Sequence, residues 1–209
     1  MANTTLDIVV TRTTVTGNDG KTYRTIKIGD QWWMAENLKE TQYRNGDQIP
    51  NVTSGSEWAN LSTDAWCVYD NSDSLAEIYG YLYNFNVVKD SRNIAPQDWH
   101  VPSETEWGIL TDYLGGRGVA GGKMKETGIV HWNSPNTSAT NESGFSALPG
   151  GYRSSSSGNF RYLGEIAHFW FSEHNSSGQQ GSMLNYDNSG VGTYAGSQRG
   201  GFSVRCVKD

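Results

Sequence analysis

The sequence has few charges, few cysteines and no long apolar run, and each shortage excludes a class of protein. Charged residues make up 18% of the 209 residues and aromatic residues 12%, a balance that does not fit intrinsic disorder. The 22 acidic and 16 basic residues give a net charge of −6. The sequence contains no block of Lys and Arg residues, so it does not support a nucleic-acid partner. Because no run of 18 apolar residues occurs, we expect no membrane insertion. The first residues also lack the charged and apolar regions of a signal peptide.

Cysteine is limited to Cys67 and Cys206. Their separation along the chain excludes a CxxC redox motif and a cysteine-rich zinc site. Both flanks are predicted to be core strands, which leaves two alternatives open. A disulfide would close a long loop, worth roughly 4–5 kcal/mol in the chain-entropy model. Otherwise the two residues are buried thiols that behave as small hydrophobic side chains.

The first half of the chain predicts a hairpin followed by short helices. Alternating residues over 16–29 surround an Asp19-Gly20 turn, and a strand over 31–34 leads into a short helix over 35–39. An aromatic-rich buried segment predicts a helix over 82–88.

The middle of the chain carries the clearest helix signal. Ser103 and Glu106 form a capping box, Pro102 precedes it, and Trp107, Leu110 and Leu114 share one face of a helix over 104–114. A second helix is predicted over 119–126.

The last third predicts short strands separated by Gly, Ser and Asn turns. They span residues 160–163, 168–172, 182–186 and 202–207. No long linker or repeat divides the chain. We therefore predict an N-terminal extension over 1–15 and a single domain over 16–209.

Several sequence blocks together resemble the Fibrobacter succinogenes major paralogous domain family. The likeness covers nearly the whole chain, roughly residues 16–209, and so many matched blocks make coincidence improbable. The blocks include Gln31-Trp32-Trp33-Met34-Ala35-Glu36-Asn37-Leu38, Tyr79-Gly80-Tyr81-Leu82-Tyr83-Asn84, Trp99-His100-Val101-Pro102, Trp132-Asn133-Ser134-Pro135-Asn136, Gly144-Phe145-Ser146-Ala147-Leu148-Pro149-Gly150-Gly151-Tyr152-Arg153 and Gly201-Phe202-Ser203-Val204-Arg205-Cys206.

This resemblance implies an α+β, C-type-lectin-like fold, more distantly similar to formylglycine-generating-enzyme domains. Two helices would flank small antiparallel sheets closed by the N- and C-terminal strands, with a long loop-rich region on one side. Family members resemble secreted or cell-surface bacterial domains, so we expect an extracellular or cell-surface location. No lipobox is visible in this chain, and the fold alone does not give the function.

Enzymatic chemistry finds little support in the residues. No HExxH or GxSxG motif surrounds the four histidines, and His100, before Val-Pro, is expected to make a structural hydrogen bond. The formylglycine-generating relatives hold copper with two neighbouring cysteines, whereas Cys67 and Cys206 lie in predicted core strands. An oxidase acting on peptide thiols is therefore the alternative to our main hypothesis, which is not an enzyme.

Metal and cofactor sites are equally weak in the sequence. The sugar-binding calcium motifs of C-type lectins are absent. The segment 70–73 and the pair Asp187-Asn188 offer oxygen ligands for calcium, although such clusters usually form Asx turns. We expect no cofactor, with calcium as the alternative.

The loop-rich C-terminal half has the composition of a recognition surface. Aromatic anchors among small polar residues are typical of binding loops, and about half of these aromatics could equally be core residues. We predict a non-catalytic module that binds a protein or a glycan there. One version is a variable protein diversified by a retroelement. The oligomeric state is not predicted. The proposed ligand-binding residues are Tyr162, His168, Trp170, His174, Tyr186, Asn188, Tyr194, Gln198 and Arg199.

One further hypothesis concerns the terminal strand. Arg205 alternates there with apolar neighbours, and we expect it to pair with a buried carboxylate, either Glu36 or Glu106.

Overall fold

The computed structural model describes residues 12–173 and 179–209 and shows a mixed α+β chain with small antiparallel sheets. The strands in these residues are β1 Arg12–Thr16, β2 Thr22–Ile28, β3 Gln31–Met34, β4 Trp66–Cys67, β5 Leu82–Tyr83, β6 Trp99–His100, β7 Tyr152–Arg153, β8 Phe160–Arg161, β9 Ile166–Trp170, β10 Gln179–Asn185, β11 Val191–Ala195 and β12 Val207–Lys208. The helices are α1 Gly55–Ala59, α2 Asp73–Tyr79, α3 Phe85–Val88, α4 Glu104–Tyr113 and α5 Arg117–Met124.

The largest sheet joins the two ends of the described chain. Its order is β1-β2-β3-β12-β6, and all neighbours are antiparallel. The predicted hairpin is therefore confirmed, as is a sheet closed by N- and C-terminal strands. The predicted domain boundary at residue 16 falls inside β1, because Arg12 to Thr16 pair with β2.

The hairpin turn is fixed by a buried carboxylate. Glu40 accepts a hydrogen bond from the Tyr23 hydroxyl at 2.7 Å and another from the Asp19 backbone N–H at 3.0 Å. A side chain at Gly17 would collide with this carboxylate, so glycine is required there. Burial raises the pKa of Glu40 to about 7.

A second sheet, in the order β11-β10-β9, forms the centre of the C-terminal half. The segment 201–203 makes single bridges to Arg153, Tyr83 and Phe169, and so connects this sheet to the β7–β8 and β4–β5 pairs. The predicted strand over 202–207 is thus divided into these bridges and β12.

Helix α4 begins as the capping box predicts. Ser103 Oγ accepts from the Glu106 N–H, and Glu106 accepts from the Ser103 N–H at 2.8 Å. Glu106 also hydrogen-bonds to Nε2 of His100, and the other ring nitrogen, Nδ1, lies 2.5 Å from Asp209 Oδ1. Burial opposes the charge on His100, but these two carboxylates outweigh it and raise its pKa. His100 therefore has the predicted structural role.

Two predicted helices differ from the structure. Residues 35–39 form no helix, because their backbone bonds to other segments: the N–H of Ala35 donates to Arg24 O and that of Leu38 to Val204 O. Residues 82–88 are divided into β5 and α3, with Asn84 as the N-cap of the helix. The family resemblance implied two flanking helices; α4 and α5 are the longest in the described residues, and α1 to α3 are additional.

Aromatic rings supply the core, as the composition predicts. The buried Trp107 ring lies 5.2 Å from Trp33, 5.6 Å from Phe145 and 5.5 Å from Phe169. Strand β9 is buried on both faces: Ala167 and Phe169 pack in this cluster, whereas Trp170 packs in a second cluster with Phe202.

Buried cations hold the loops of the C-terminal half in place. Lys125 is fully buried, and its ammonium donates to the carbonyls of Thr137 and Asn185 at 3.0 Å and of Asn188 at 2.9 Å. Burial lowers the Lys125 pKa to about 8, so the group is still charged at pH 7. The charged ammonium of Lys125 therefore connects three loop segments through hydrogen bonds to their carbonyls.

Arg153 plays the same role on another side of the fold. Its guanidinium donates to the carbonyls of Gly158 at 2.9 Å, Val52 at 2.5 Å and Thr53 at 2.7 Å. It also lies 4.7 Å from the ring centre of Trp58, a cation–π distance. The segment around residue 52 is thereby tied to the β7–β8 hairpin.

Arg205 does not make the predicted ion pair. It donates to Asn37 Oδ1 at 2.8 Å and to the carbonyls of Phe145 and Ser146. Glu36 pairs instead with Arg24, and Glu106 with His100. The local carbonyls satisfy the guanidinium without a carboxylate.

Candidate ligand-binding surface

The register of the second sheet brings several predicted residues together. Trp170 on β9, Gly181 on β10 and Tyr194 on β11 are directly paired across the sheet and so share one face. Gly181 has no side chain, and a Cβ there would lie 2.3 Å from the Phe169 carbonyl oxygen. Glycine at this position therefore lets the backbones of β9 and β10 approach closely. Tyr194 lies 4.6 Å from the ring of Phe202.

Four rings form a continuous row on this side of the molecule, which we call the aromatic row: Tyr162, Tyr152, His168 and Tyr194. Successive ring centres are 5.7, 5.2 and 5.4 Å apart. Tyr152 and Tyr194 are half-buried, and burial raises the pKa of both hydroxyls. The row therefore runs from the exposed Tyr162 through Tyr152 and the buried imidazole of His168 to the half-buried Tyr194.

Tyr162 is the exposed end of the aromatic row. Its side chain is 47% exposed, and its ring lies against Tyr152 in the loop between β8 and β9. Its backbone has φ +60°, in the left-handed region that bulky residues rarely adopt. The Tyr162 carbonyl accepts bonds from the N–H groups of Glu165 and Ile166, which fix this turn. The structure thus holds a large side chain outward at a position where glycine would be less strained.

His168 is the buried member of the aromatic row, between Tyr152 and Tyr194. Only 4% of the residue is exposed, and its ring stacks on Phe202 with centres 4.6 Å apart. Its Nδ1 has no hydrogen-bond partner among the described residues. Burial lowers its pKa to about 3, so the imidazole is neutral at pH 7.

The remaining predicted residues are not gathered on this surface. Arg199 and Gln198 are exposed in the loop after β11, and the Arg199 guanidinium donates to the Ala59 carbonyl at 2.9 Å. Tyr186 and Asn188 lie at the opposite, turn end of β10 and β11.

Two predicted contact residues, Trp170 and His168, need correction. Trp170 is fully buried and donates its Nε1–H to the Tyr83 carbonyl at 2.7 Å, so it cannot touch a ligand on the surface. His168 is buried in the same way. The reason is that β9 lies between two core clusters, so neither of its faces is free. Tyr186, like Tyr194, is only half-buried, and it packs against the cluster around Trp107. His174 lies outside the described residues.

The sequence interpretation missed Tyr152, which sits between Tyr162 and His168. A signal was available, since Tyr152 follows Gly150-Gly151 in one of the sequence blocks that carry the family resemblance. The left-handed backbone of Tyr162 has no counterpart in the sequence, because it arises from the turn that β8 and β9 impose.

The predicted disulfide is not formed. Cys67 and Cys206 are both free and fully buried, and they pack in different clusters, Cys67 beside Trp58 and Cys206 beside Met34. Burial raises the pKa of Cys67 to about 12 and that of Cys206 well above its usual value. The alternative of two buried thiols is correct, and such thiols are poor nucleophiles and poor metal ligands.

The oxygen clusters considered for calcium are partly explained by turns. Asn188 Oδ1 accepts from the Gly190 N–H at 3.0 Å, an Asx turn, and Asp70 and Asn71 have positive φ. Within residues 12–173 and 179–209, no group of three or more His, Cys, Asp or Glu side chains is arranged to hold a metal ion. No helix in these residues is long and apolar enough to cross a bilayer.

Comparison with known proteins gives one result. The family model described as the Fibrobacter succinogenes major domain matches residues 26–208. Neither the curated proteins nor the solved structures gave a match.

Proposed function

The chain belongs to the Fibrobacter succinogenes major domain family, and from this premise we propose that it is a non-catalytic recognition module. The three tyrosines of the aromatic row, Tyr162, Tyr152 and Tyr194, are its contact surface, and its ligand is a protein or a glycan. The rest of the C-terminal half serves as the scaffold that holds the row in position.

The observation that carries this proposal is the conformation of Tyr162. A backbone in the left-handed region costs on the order of 1 kcal/mol or more for a bulky residue, and such strain is often found at functional sites. The ring it displays is nearly half exposed and continues into Tyr152. Exposed tyrosines bind sugars and proteins well, because a rigid ring offers a large contact area and a polar tip.

The chemistry of the aromatic row supports binding better than bond-making. General acid–base catalysis needs a group with a pKa near the working pH. Here the pKa of His168 is far below neutrality, and those of Tyr152 and Tyr194 are raised. The buried thiols likewise disfavour the oxidase alternative.

Three finer statements rest on the family resemblance and remain part of the proposal. The fold is C-type-lectin-like, the domain is secreted or displayed on a bacterial surface, and the segment 160–199 varies between copies through a diversity-generating retroelement. A genome neighbourhood without a reverse transcriptase and a template repeat would contradict the last statement.

A glycan and protein array tests the proposal. The wild-type domain is compared with Tyr162→Ala, and with Tyr113→Ala as the matched control. Tyr113 is 66% exposed on α4, outside the aromatic row. We expect binding of at least one ligand class that Tyr162→Ala loses and Tyr113→Ala keeps. Equal binding by Tyr162→Ala would overturn the placement of the site, and an array without any bound ligand would count against the function.

A further inference from the structure

A groove of about 440 Å³ lies on the largest sheet, on residues that the aromatic row does not use. It is lined by residues 13–16 of β1, Trp32 of β3, residues 97–99 at the entry to β6, and Lys208 of β12. We call it the sheet groove. Its volume is within the range of about 300–1,000 Å³ that is typical of small-molecule sites.

Two tryptophans and a lysine stand side by side in the sheet groove. Lys208 pairs with Trp99 on β6, and Val207 pairs with Trp33 on β3. One residue further along this antiparallel register, Lys208 is next to Trp32, so the three side chains share one face of the sheet. Trp99 is 5% exposed and belongs to a core cluster, and Trp32 is partly buried against the same cluster. The two indoles are therefore held by the core while they line the groove.

The hydrogen bonds of the indole N–H groups set Trp32 and Trp99 apart from the other six tryptophans. Five indoles donate to another residue: Trp33, Trp58, Trp66, Trp132 and Trp170. Trp107 has no partner, and its Nε1 is fully enclosed. The N–H groups of Trp32 and Trp99 also have no acceptor among the described residues, but both keep some access to solvent. A buried or half-buried indole N–H usually finds a partner, so two open donors in one groove suit a ligand that brings acceptor oxygens.

Asp98 supplies an acceptor in the same groove. Its backbone has φ +64°, and its carbonyl accepts from the Asp209 N–H at 3.1 Å, which fixes its position. Its Oδ1 accepts from Gln97 Nε2 at 2.9 Å, and its Oδ2 accepts no bond from the part of the chain that the structure describes. Lys208 is exposed and makes no ion pair with those residues either. One carboxylate and one ammonium leave the groove neutral overall, which suits an uncharged ligand.

We infer that the sheet groove binds a neutral saccharide of one or two rings, with Trp32 and Trp99 donating to its oxygens and Asp98 accepting from a hydroxyl group. A pyranose with equatorial hydroxyls has apolar C–H faces, and the negative face of an indole attracts those hydrogens. Its hydroxyl groups both donate and accept, which matches a groove that holds both kinds of partner. A peptide backbone, by contrast, presents few polarised C–H groups to an indole face.

The test is a titration of the wild-type protein followed by NMR at the tryptophan Nε1–Hε1 resonances. The probes are cellobiose, maltose and N-acetylglucosamine, with glycerol and sodium chloride as controls. We expect a saturable shift at Trp32 and Trp99 with at least one saccharide and none with either control. Trp58 and Trp132 are internal references, because their N–H groups already donate to backbone carbonyls. No saturable shift up to about 50 mM of any saccharide, or a shift confined to other indoles, would overturn the inference.

The same titration with N-acetyl-trialanine amide tests a peptide as the occupant. We expect no saturable shift at Trp32 or Trp99 with this probe. A shift with the peptide and with none of the saccharides would assign the groove to a peptide partner and contradict the inference.

Two glycine variants test the carboxylate of Asp98. Glycine accepts a left-handed backbone, so Asp98→Gly removes the carboxylate without adding strain. Asp70→Gly is the matched control, since Asp70 is also exposed, has φ +51° and does not line the groove. We expect the saccharide affinity to fall about tenfold or more only in Asp98→Gly. Retained affinity in that variant would contradict the assignment.

Trp32→Phe keeps an aromatic ring and removes the N–H donor. Trp66→Phe is its matched control, because Trp66 is partly buried against the same cluster but donates to the Ile49 carbonyl at 2.9 Å. We expect affinity to fall about five- to tenfold only in Trp32→Phe, and an unchanged affinity would contradict the role of its N–H. If Trp32→Phe does not fold, the Asp98→Gly comparison decides. Tyr162→Ala is expected to leave this titration unchanged, so the sheet groove and the aromatic row are tested separately.

Discussion

The loops of the C-terminal half depend on the ammonium of Lys125, and replacing it with Met tests this directly. Met is similar in length and apolar, so Lys125→Met keeps most of the packing and removes the charge. The carbonyls of Thr137, Asn185 and Asn188 then lose their shared donor.

The expected magnitude follows from those three bonds. Each hydrogen bond to a charged group contributes about 1.5–3 kcal/mol, so the gross loss is roughly 5–9 kcal/mol. Removing a buried ammonium returns several kcal/mol of desolvation cost. We expect a net loss of about 3–5 kcal/mol in the free energy of unfolding, which lowers Tm by roughly 6–20 °C for a chain of this size.

Urea denaturation of wild type, Lys125→Met and Lys123→Met provides the measurement. Lys123 lies two residues earlier, is partly exposed and pairs with Glu142 at 2.9 Å, so its loss is expected to cost at most about 1 kcal/mol. Hydrogen exchange at residues 137 and 185–188 is expected to accelerate only in Lys125→Met. A Lys125→Met domain as stable as Lys123→Met would refute the idea that this charge holds the loops.

The remaining predictions concern pH and thiol chemistry. The pKa of Glu40 is raised to about 7, so its protonated form stabilises the fold. The free energy of unfolding is expected to fall by up to about 3 kcal/mol as pH rises from 4.5 to 7. Denaturation of Glu40→Gln across that pH range is expected to show no such slope. The pKa of His168 is lowered to about 3, so its neutral form stabilises the fold and the pH dependence is opposite to that of Glu40. The free energy of unfolding is expected to fall by up to about 5 kcal/mol as pH falls from 6.5 to 3. His168→Phe keeps the stacking on Phe202 and removes the unpartnered Nδ1, so this variant is expected to be at least as stable as wild type at pH 7. A decrease of more than about 2 kcal/mol in its free energy of unfolding would indicate a polar role for the ring. Cys67 and Cys206 are expected to react with a thiol reagent only after the protein is denatured without reductant, and the denatured protein should then contain two equivalents of free thiol. Rapid reaction of the folded protein would contradict their burial.

Local sequence patterns predicted the parts of the fold that local chemistry decides. The helix over 104–114 follows from Ser103 and Glu106, which complete a capping box within four residues. The first hairpin follows from Asp19-Gly20 in the same way. The closure of the main sheet by the C-terminal strand came from the family resemblance, since no short-range signal links residues so far apart.

Other parts depend on tertiary contacts that the sequence does not display. Residues 35–39 have helical composition, but their backbone bonds to Arg24 on β2 and to Val204, so they continue beyond β3 without forming a helix. Helix α2 and strand β11 were missed because neither has a clear periodic pattern. His168 and Trp170 were predicted to contact a ligand, whereas the two core clusters cover both faces of β9.

The candidate site was predicted only in part, because its contacts also depend on the tertiary structure. Tyr162 and Tyr194, two of the proposed ligand-binding residues, are exposed and half-buried respectively, and the structure adds Tyr152 to the same row. Arg205 was correctly singled out as a buried structural residue, but its partners are backbone carbonyls rather than a carboxylate. Carbonyl acceptors are present at every residue, so a sequence cannot indicate which ones a buried cation will find.

The most direct measurement of the central claim compares the stability and the affinity of Tyr162→Gly. Glycine accepts φ +60° without strain, so the free energy of unfolding is expected to stay the same or to rise by up to about 1 kcal/mol. Affinity for a ligand identified on the array is expected to fall at least about tenfold, because the exposed ring is lost. A variant that binds as well as wild type, or one that binds less only because it is unfolded, would contradict the claim that Tyr162 is held outward to make contact.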